Sequence, residues 1–259
     1  MKTTINCFHT HAPKVEWLKD FFAMKGDYLK NNGLGPDQIS NFRAFLKAAG
    51  LLDGKDVTAL TELVFGLGWN SEIATSLLLV NLSYNPQINW YITNLELERK
   101  YTRQEVLDLL AEQGQSSVNA RMVVSAYKRI CDLPLGTRIK FGVTEERGKN
   151  IVSITRTKPV VPSPLVFLYA LYRFAEGCGG YYEFSLSRLL DFSVEAEGVN
   201  PAQIFALSRE EMEPMLNGLS RTNGDFISFT TTHDLELVHL ADDKKSEDVL
   251  ALFAGTASE

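Results

Sequence analysis

Between Tyr101 and Lys158 the apolar positions keep helical spacing twice and then alternate, which predicts helix, helix and a two-stranded hairpin. Thr102 with Glu105 three residues on is a capping box, each side chain satisfying an orphan amide at the helix start. Val106, Leu109 and Leu110 share one face of that helix, and Gly114 stops it. Ser116 or Ser117 caps a second helix, roughly Val118 to Cys131, that turns Met122, Val123, Ala126, Tyr127 and Ile130 inward. Asn119, Arg121, Ser125, Lys128 and Arg129 are left on its outer face, and Leu133-Pro134 ends it. Two β-rich runs, Arg138 to Thr144 and Asn150 to Thr157, flank Glu145-Glu146-Arg147-Gly148-Lys149, a hairpin connection containing glycine. Helix, turn, helix, basic hairpin is the order of a winged-helix module.

The remaining pattern is mainly helical. Thr3 to Phe8 alternates like a short strand, and helices are expected from Pro13, over Asp37 to Ala49, from Thr58 or Ala59 to Phe65, and over Trp69 to Ser83. This opening reads as a helix-turn-helix with its own truncated wing. The run Trp69, Leu77, Leu78, Leu79, Trp90, Tyr91 is read as core, with a ligand pocket as the lesser alternative. Pro159, Pro162 and Pro164 mark a linker. Beyond it come a helix through Phe174, short helices at Leu186 to Leu190 and Ala202 to Leu207, a capping box at Ser208 and Glu211, and two alternating runs, Phe226 to Thr231 and Leu235 to Leu240. Helices followed by a hairpin occur twice, so the fold is expected to be mainly α with small β-hairpin wings (α+β), in tandem winged-helix or helix-turn-helix modules. The boundaries expected are a helical region over 1–100, a basic winged helix over 101–158, an acidic winged-helix-like domain over 159–241 and a tail over 242–259, in which Val249, Leu250, Leu252 and Phe253 form an amphipathic stretch that docks on the body or on a partner.

Charge sharpens that division. Residues 1–98 carry 8 basic and 10 acidic side chains, residues 99–160 carry 12 and 6, and residues 161–259 carry 6 and 16. The balances are therefore −2, +6 and −10 within a net charge of −6. A basic segment of this kind suits phosphates or the acidic part of the same chain, and an acidic one repels nucleic acid. No apolar run reaches the roughly 18 residues of a membrane span. Three cysteines far apart, without a CxxC pair or a signal peptide, point to a reducing cytoplasm.

Little in the chain points to chemistry. Cys7, His9 and His11 alternate and offer zinc-type donors, but no second pair of ligands matches them, so surface or packed histidines are the stronger reading. There is no Walker or dinucleotide loop and no G-x-S-x-G elbow, and the pairs Glu145-Glu146 and Glu210-Glu211 read as solvated surface. We expect neither an enzyme nor a cofactor.

The order of short motifs resembles a bacterial winged-helix-like family of unknown function, typically encoded beside PAPS-reductase-like sulfurtransferases in DNA phosphorothioation and other phage-defence loci. The resemblance runs from about Phe8 to Leu240. It rests on Phe8-x-x-His11, Trp17-Leu18-Lys19, Gly33-Leu34-Gly35 before Asn41-Phe42-Arg43, and Ala48-x-Gly50-Leu51-Leu52. Leu60 to Phe65, Asn89-Trp90-Tyr91, Tyr101 to Glu105 and Pro162 to Tyr172 continue it, whereas about three residues are missing between His11 and Trp17. The resemblance implies a cytosolic accessory protein of a DNA-modification or defence system and supplies no catalytic residues.

Two expectations follow. In the first, Asn119, Arg121, Ser125, Lys128 and Arg129 face duplex DNA while Arg147 and Lys149 at the wing tip reach phosphates, since Arg and Lys neutralise phosphate and Asn and Ser read base edges. In the second, the chain is an adaptor for a PAPS-reductase-like sulfurtransferase or another defence enzyme.

Overall fold

The computed structural model describes residues 4–9, 11–25, 27–192, 197–232 and 235–253, and they form two units, Met1–Val160 and Val161–Glu259. The fold is mixed α+β, with helices and small antiparallel sheets. Among the described residues no helix is long and apolar enough to cross a membrane.

The first unit opens with α1 (Val15–Ala23), a 3-10 turn (Asp27–Leu29) and α2 (Pro36–Ala48). Trp17, Leu18, Phe21 and Phe22 of α1 are buried, as are Phe42, Phe45 and Leu46 of α2, in an aromatic layer where Trp17, Phe21 and Tyr28 all meet the Phe42 ring edge-on. A two-residue hairpin, β1 (Leu52–Asp53) and β2 (Asp56–Val57), leads to α3 (Ala59–Leu67) and α4 (Glu72–Leu82). Nine consecutive residues of α4, Ala74 to Leu82, are buried, so this helix is the centre of the core and no amphipathic stripe is needed.

Next come α5 (Pro86–Asn94), β3 (Lys100–Thr102), α6 (Arg103–Glu112), α7 (Ser117–Asp132), α8 (Pro134–Thr137) and the hairpin β4 (Gly142–Arg147) and β5 (Asn150–Arg156). The sheet order is β3-β5-β4. Thr102 caps α6 as expected, with its amide donating to Glu105 at 2.7 Å, and Ser116 caps α7. Gly148, at φ +66°, makes the turn between β4 and β5.

Several sequence expectations need correction. The boundary expected between 1–100 and 101–158 is absent: both stretches belong to one unit, sewn together by buried polar contacts. Gln87 Oε1 accepts the amides of Cys7 and Phe8, its Nε2 donates to the Tyr91 hydroxyl, and that hydroxyl donates to the Val123 carbonyl of α7. The buried Arg156 guanidinium likewise donates to the carbonyl of Ile92 at 2.7 Å. Pairings across such sequence distances leave no periodic signal. Among residues 4–8 of the expected first strand none is extended in a sheet. Residues 138–141 are not strand either, because Pro134 starts the extra turn α8 and β4 begins only at Gly142.

The second unit contains α9 (Pro164–Gly177), β6 (Glu183–Ser185), α10 (Leu186–Leu190), α11 (Pro201–Phe205), α12 (Arg209–Thr222), β7 (Ile227–Thr232), β8 (Leu235–Leu240) and α13 (Ser246–Phe253). Its sheet order, β6-β8-β7, repeats that of the first unit: a short strand after a helix pairs with the last strand of a later hairpin. In both units the residue closing the short strand, Thr102 or Ser185, caps the next helix. The amphipathic tail, expected to dock on the body or on a partner, docks on the body: Val249 and Phe253 of α13 are fully buried, and α13 packs on α9. The first part of the expected acidic loop at 195–198, the His233-Asp234 turn and the end of the tail lie outside the described residues.

Candidate nucleic-acid interface

Two tyrosines fix α7 against the rest of the first unit. Tyr91 and Tyr127 meet edge to face with ring centroids 4.5 Å apart. Tyr91 donates to the Val123 carbonyl at 2.7 Å, and Tyr127 donates across to the Thr155 carbonyl of β5 at 3.1 Å. Glycine at 142 makes the second bond possible, since a Cβ there would stand 2.1 Å from the Tyr127 hydroxyl. Helix and hairpin are thus clamped to each other through the side of α7 that faces the core.

On the other side, α7, the hairpin and the start of α1 enclose a groove of about 490 Å³. Ser125, Lys128, Arg129 and Lys149 line it together, and Lys14 joins them from the residue preceding α1. Three carboxylates, Glu16, Asp132 and Glu146, share its walls. Lys128 bonds Asp132 at 2.7 Å and stands 3.6 Å from Glu146, and the Asp132 hydrogen bond raises its pKa above the ordinary lysine value. Glu146 reaches Lys128 because of a bulge: Glu145 pairs with Ser153 and Glu146 with Ile151, leaving Val152 as the extra residue. Glu145 turns instead to Lys100, at 2.6 Å, and its carboxyl is held below the usual carboxylate range by that hydrogen bond.

The seven residues singled out from the sequence therefore divide. Ser125, Lys128, Arg129 and Lys149 come together. Arg121 and Arg147 are exposed but belong to none of the groove's walls. Asn119 and Arg129 are not freely outward as expected, because the segment before α1 lies along their flank of α7. Asn119 accepts from the Asn6 amide at 3.2 Å, and Arg129 donates to the Ala12 carbonyl at 3.0 Å. Ser125 returns its hydroxyl to the Arg121 carbonyl at 2.8 Å. Lys14 and Glu16 escaped the sequence reading, since nothing in a local pattern links residue 14 to a helix more than a hundred residues later.

Cys7, His9 and His11 do not assemble. His9 takes a left-handed turn at φ +47° instead of continuing a strand, and the Cys7 thiol, its pKa raised by burial, faces the Thr4 carbonyl. Among the described residues no three His, Cys, Asp or Glu side chains stand where they could hold a metal ion.

No family model and no curated protein matches this chain. Two solved structures of SspB do, one of them bound to magnesium ion, each over 96% of this chain and 88% of the other. Their TM-scores are 0.65 for the magnesium-bound structure and 0.66 for the other, at 12% and 13% sequence identity. At that identity the likeness is one of fold, and it extends over both units.

Proposed function

We propose that this protein is a non-enzymatic DNA-binding accessory of a DNA-modification or phage-defence system of the phosphorothioation kind, and that it contacts duplex DNA through residues 116–150. The fold held in common with SspB, a name that fits the Ssp system of DNA phosphorothioation, supports the setting. In this reading α5, β3, α6, α7, β4 and β5 form a winged helix, for which their order and the β3-β5-β4 sheet speak. The observation that carries it is the meeting of α7 and the hairpin, which gathers Ser125, Lys128, Arg129 and Lys149 beside Lys14. Arg121 on α7 and Arg147 at the end of β4, both exposed, add to this basic surface. Lys128, already held by two carboxylates, contributes least, and Lys14, Arg121, Arg147 and Lys149 contribute most.

The magnesium of the one SspB structure belongs to that protein. The described residues of this chain form no three-ligand cluster for such an ion.

A second reading, an adaptor for a PAPS-reductase-like sulfurtransferase, is favoured by the acidic second unit, whose balance of −10 suits a basic protein surface. Anisotropy of a labelled random-sequence duplex at two salt concentrations separates the two. DNA binding predicts affinity that falls steeply with salt, and replacing Arg121, Arg147 and Lys149 by Glu should lower the log–log slope by roughly one for each phosphate no longer neutralised. No binding at low salt, or an unchanged slope in the variant, sinks the DNA reading and leaves the adaptor in front.

A further inference from the structure

A second groove in the first unit, about 780 Å³ and larger than the one beside α7, runs along the exposed side of α2. Its other walls are the end of the 3-10 turn and the β1–β2 hairpin. The lining sorts by chemistry. Leu29, Ile39, Ala44 and Leu52 make an apolar floor, and Lys30, Arg43, Lys47 and Lys55 make a rim of four exposed cations. The carboxylates on the same elements, Asp27, Asp37, Asp53 and Asp56, are absent from the lining, Asp27 being bonded to Lys30 at 3.2 Å. Arg43 and Lys47 are one helical turn apart, about 6 Å along the axis. Arg43 spends one of its donors on the Leu29 carbonyl, which fixes its guanidinium at the groove edge with donors to spare.

We propose that this groove docks an acidic amphipathic helix from a protein partner, whose apolar side chains cover Leu29 and Ile39 while its carboxylates meet Arg43, Lys47 and Lys55. A helix with apolar residues on one stripe and carboxylates on either side matches an apolar floor within a cationic rim in both shape and charge. Nucleic acid fits less well, because phosphates gain nothing from an apolar floor and this floor has no aromatic ring on which a base could stack. The site is separate from the groove beside α7: the two linings share no residue.

The test uses the full chain and a labelled peptide with Leu and Glu at helical spacing, beside a scrambled peptide of the same composition. The ordered peptide should bind with affinity that weakens with salt and should gain helical circular dichroism on binding. Lys47→Glu with Lys55→Glu should weaken binding at least about tenfold, as removal of paired charges at an interface does. Ile39→Ser should weaken binding while leaving its salt dependence in place, and Arg121→Glu should change nothing. Thermal melts of the variants establish that each is folded. Equal binding of the scrambled peptide, or full affinity in Lys47→Glu with Lys55→Glu, overturns the proposal. So does displacement of the peptide by duplex DNA, which would make the groove a phosphate site. Self-association of the wild type that the same double variant abolishes would replace the partner by a second copy of this chain.

Discussion

Changing Tyr91 to Phe removes a single oxygen from the middle of the polar chain that joins the start of the protein to α7. That oxygen accepts from Gln87 Nε2 at 2.8 Å and donates to the Val123 carbonyl at 2.7 Å. Gln87 is fully buried and Tyr91 is 1% exposed, so water cannot reach either orphaned group without an opening of the structure. Leaving a buried donor unmade costs about 1–3 kcal/mol, and the ring packing against Tyr127 is unaffected by the change. For a chain of this size 1 kcal/mol corresponds to a shift of about 2–4 °C, so the melting temperature of the first unit should fall by roughly 2–12 °C. Burial pushes the Tyr91 phenol above its ordinary pKa, so the hydroxyl stays protonated up to at least pH ~10 and the deficit should be the same at neutral pH and pH ~9. Scanning calorimetry reads the shift, with Tyr181→Phe, at an exposed ring, as the control that should not move. Hydrogen exchange should report faster opening at the Cys7 and Phe8 amides, which depend on the same Gln87. A melting temperature within about 1 °C of wild type would refute the reasoning, because one buried orphan already costs more than that.

Four further outcomes are expected. Gly142→Ala should destabilise the first unit by about 1–3 kcal/mol in chemical denaturation, since the new Cβ meets the Tyr127 hydroxyl at 2.1 Å and the Thr155 carbonyl at 3.0 Å. Phe253→Ala should cost about 3–5 kcal/mol in the unfolding of the second unit, because the ring is fully buried in the segment that the sequence presents as a tail. The Glu105 carboxyl is held below its ordinary pKa by the Thr102 amide, so its contribution is present above the unfolded pKa and is lost as pH falls through the folded one. Glu105→Gln should therefore flatten part of the acid limb of the stability–pH curve, and an unchanged acid limb counts against the capping box. On labelled duplex, Lys149→Ala should weaken binding more than Lys128→Ala, whose ammonium already serves Asp132 and Glu146; the reverse ranking would mean that DNA displaces those carboxylates.

Local chemistry was legible in the sequence. The capping boxes at Thr102 and Ser208, the cap at Ser116 and the helices over α2, α4 and α7 declare themselves through residue types a few positions apart. The hairpin after α7 was visible too, though its first strand starts later than expected because Pro134 opens a further turn. Illegible were pairings whose partners lie far apart in the chain. Asn6 with Asn119, Arg129 with Ala12 and Gln87 with Cys7 and Phe8 decide which face of α7 is open, and none changes the hydrophobic period of its own segment. For the same reason the outer face of α7 reads as one open surface in the sequence, when the opening segment is bonded along it at Asn119 and Arg129 and the groove with the start of α1 continues from Arg129. The groove on α2 is hidden for a different reason: its acidic and basic residues cancel along the sequence and separate only in space.

The repeated sheet order with opposite charge bears on how the molecule behaves in bulk. Buried apolar residues set the sheet order, and surface charge is free to differ between the two units that share it. The sequence pI of about 5.4 reflects a net charge of −6 that is the sum of +4 in the first unit and −10 in the second, and describes neither. On an ion-exchange resin such a chain should be retained by an anion exchanger through its second unit, and under the DNA-binding proposal its first would still take up polyanions from the lysate. A purification planned around the pI would then carry nucleic acid along only if that proposal holds, and the absorbance ratio at 260 and 280 nm of the eluted peak would be the earliest sign.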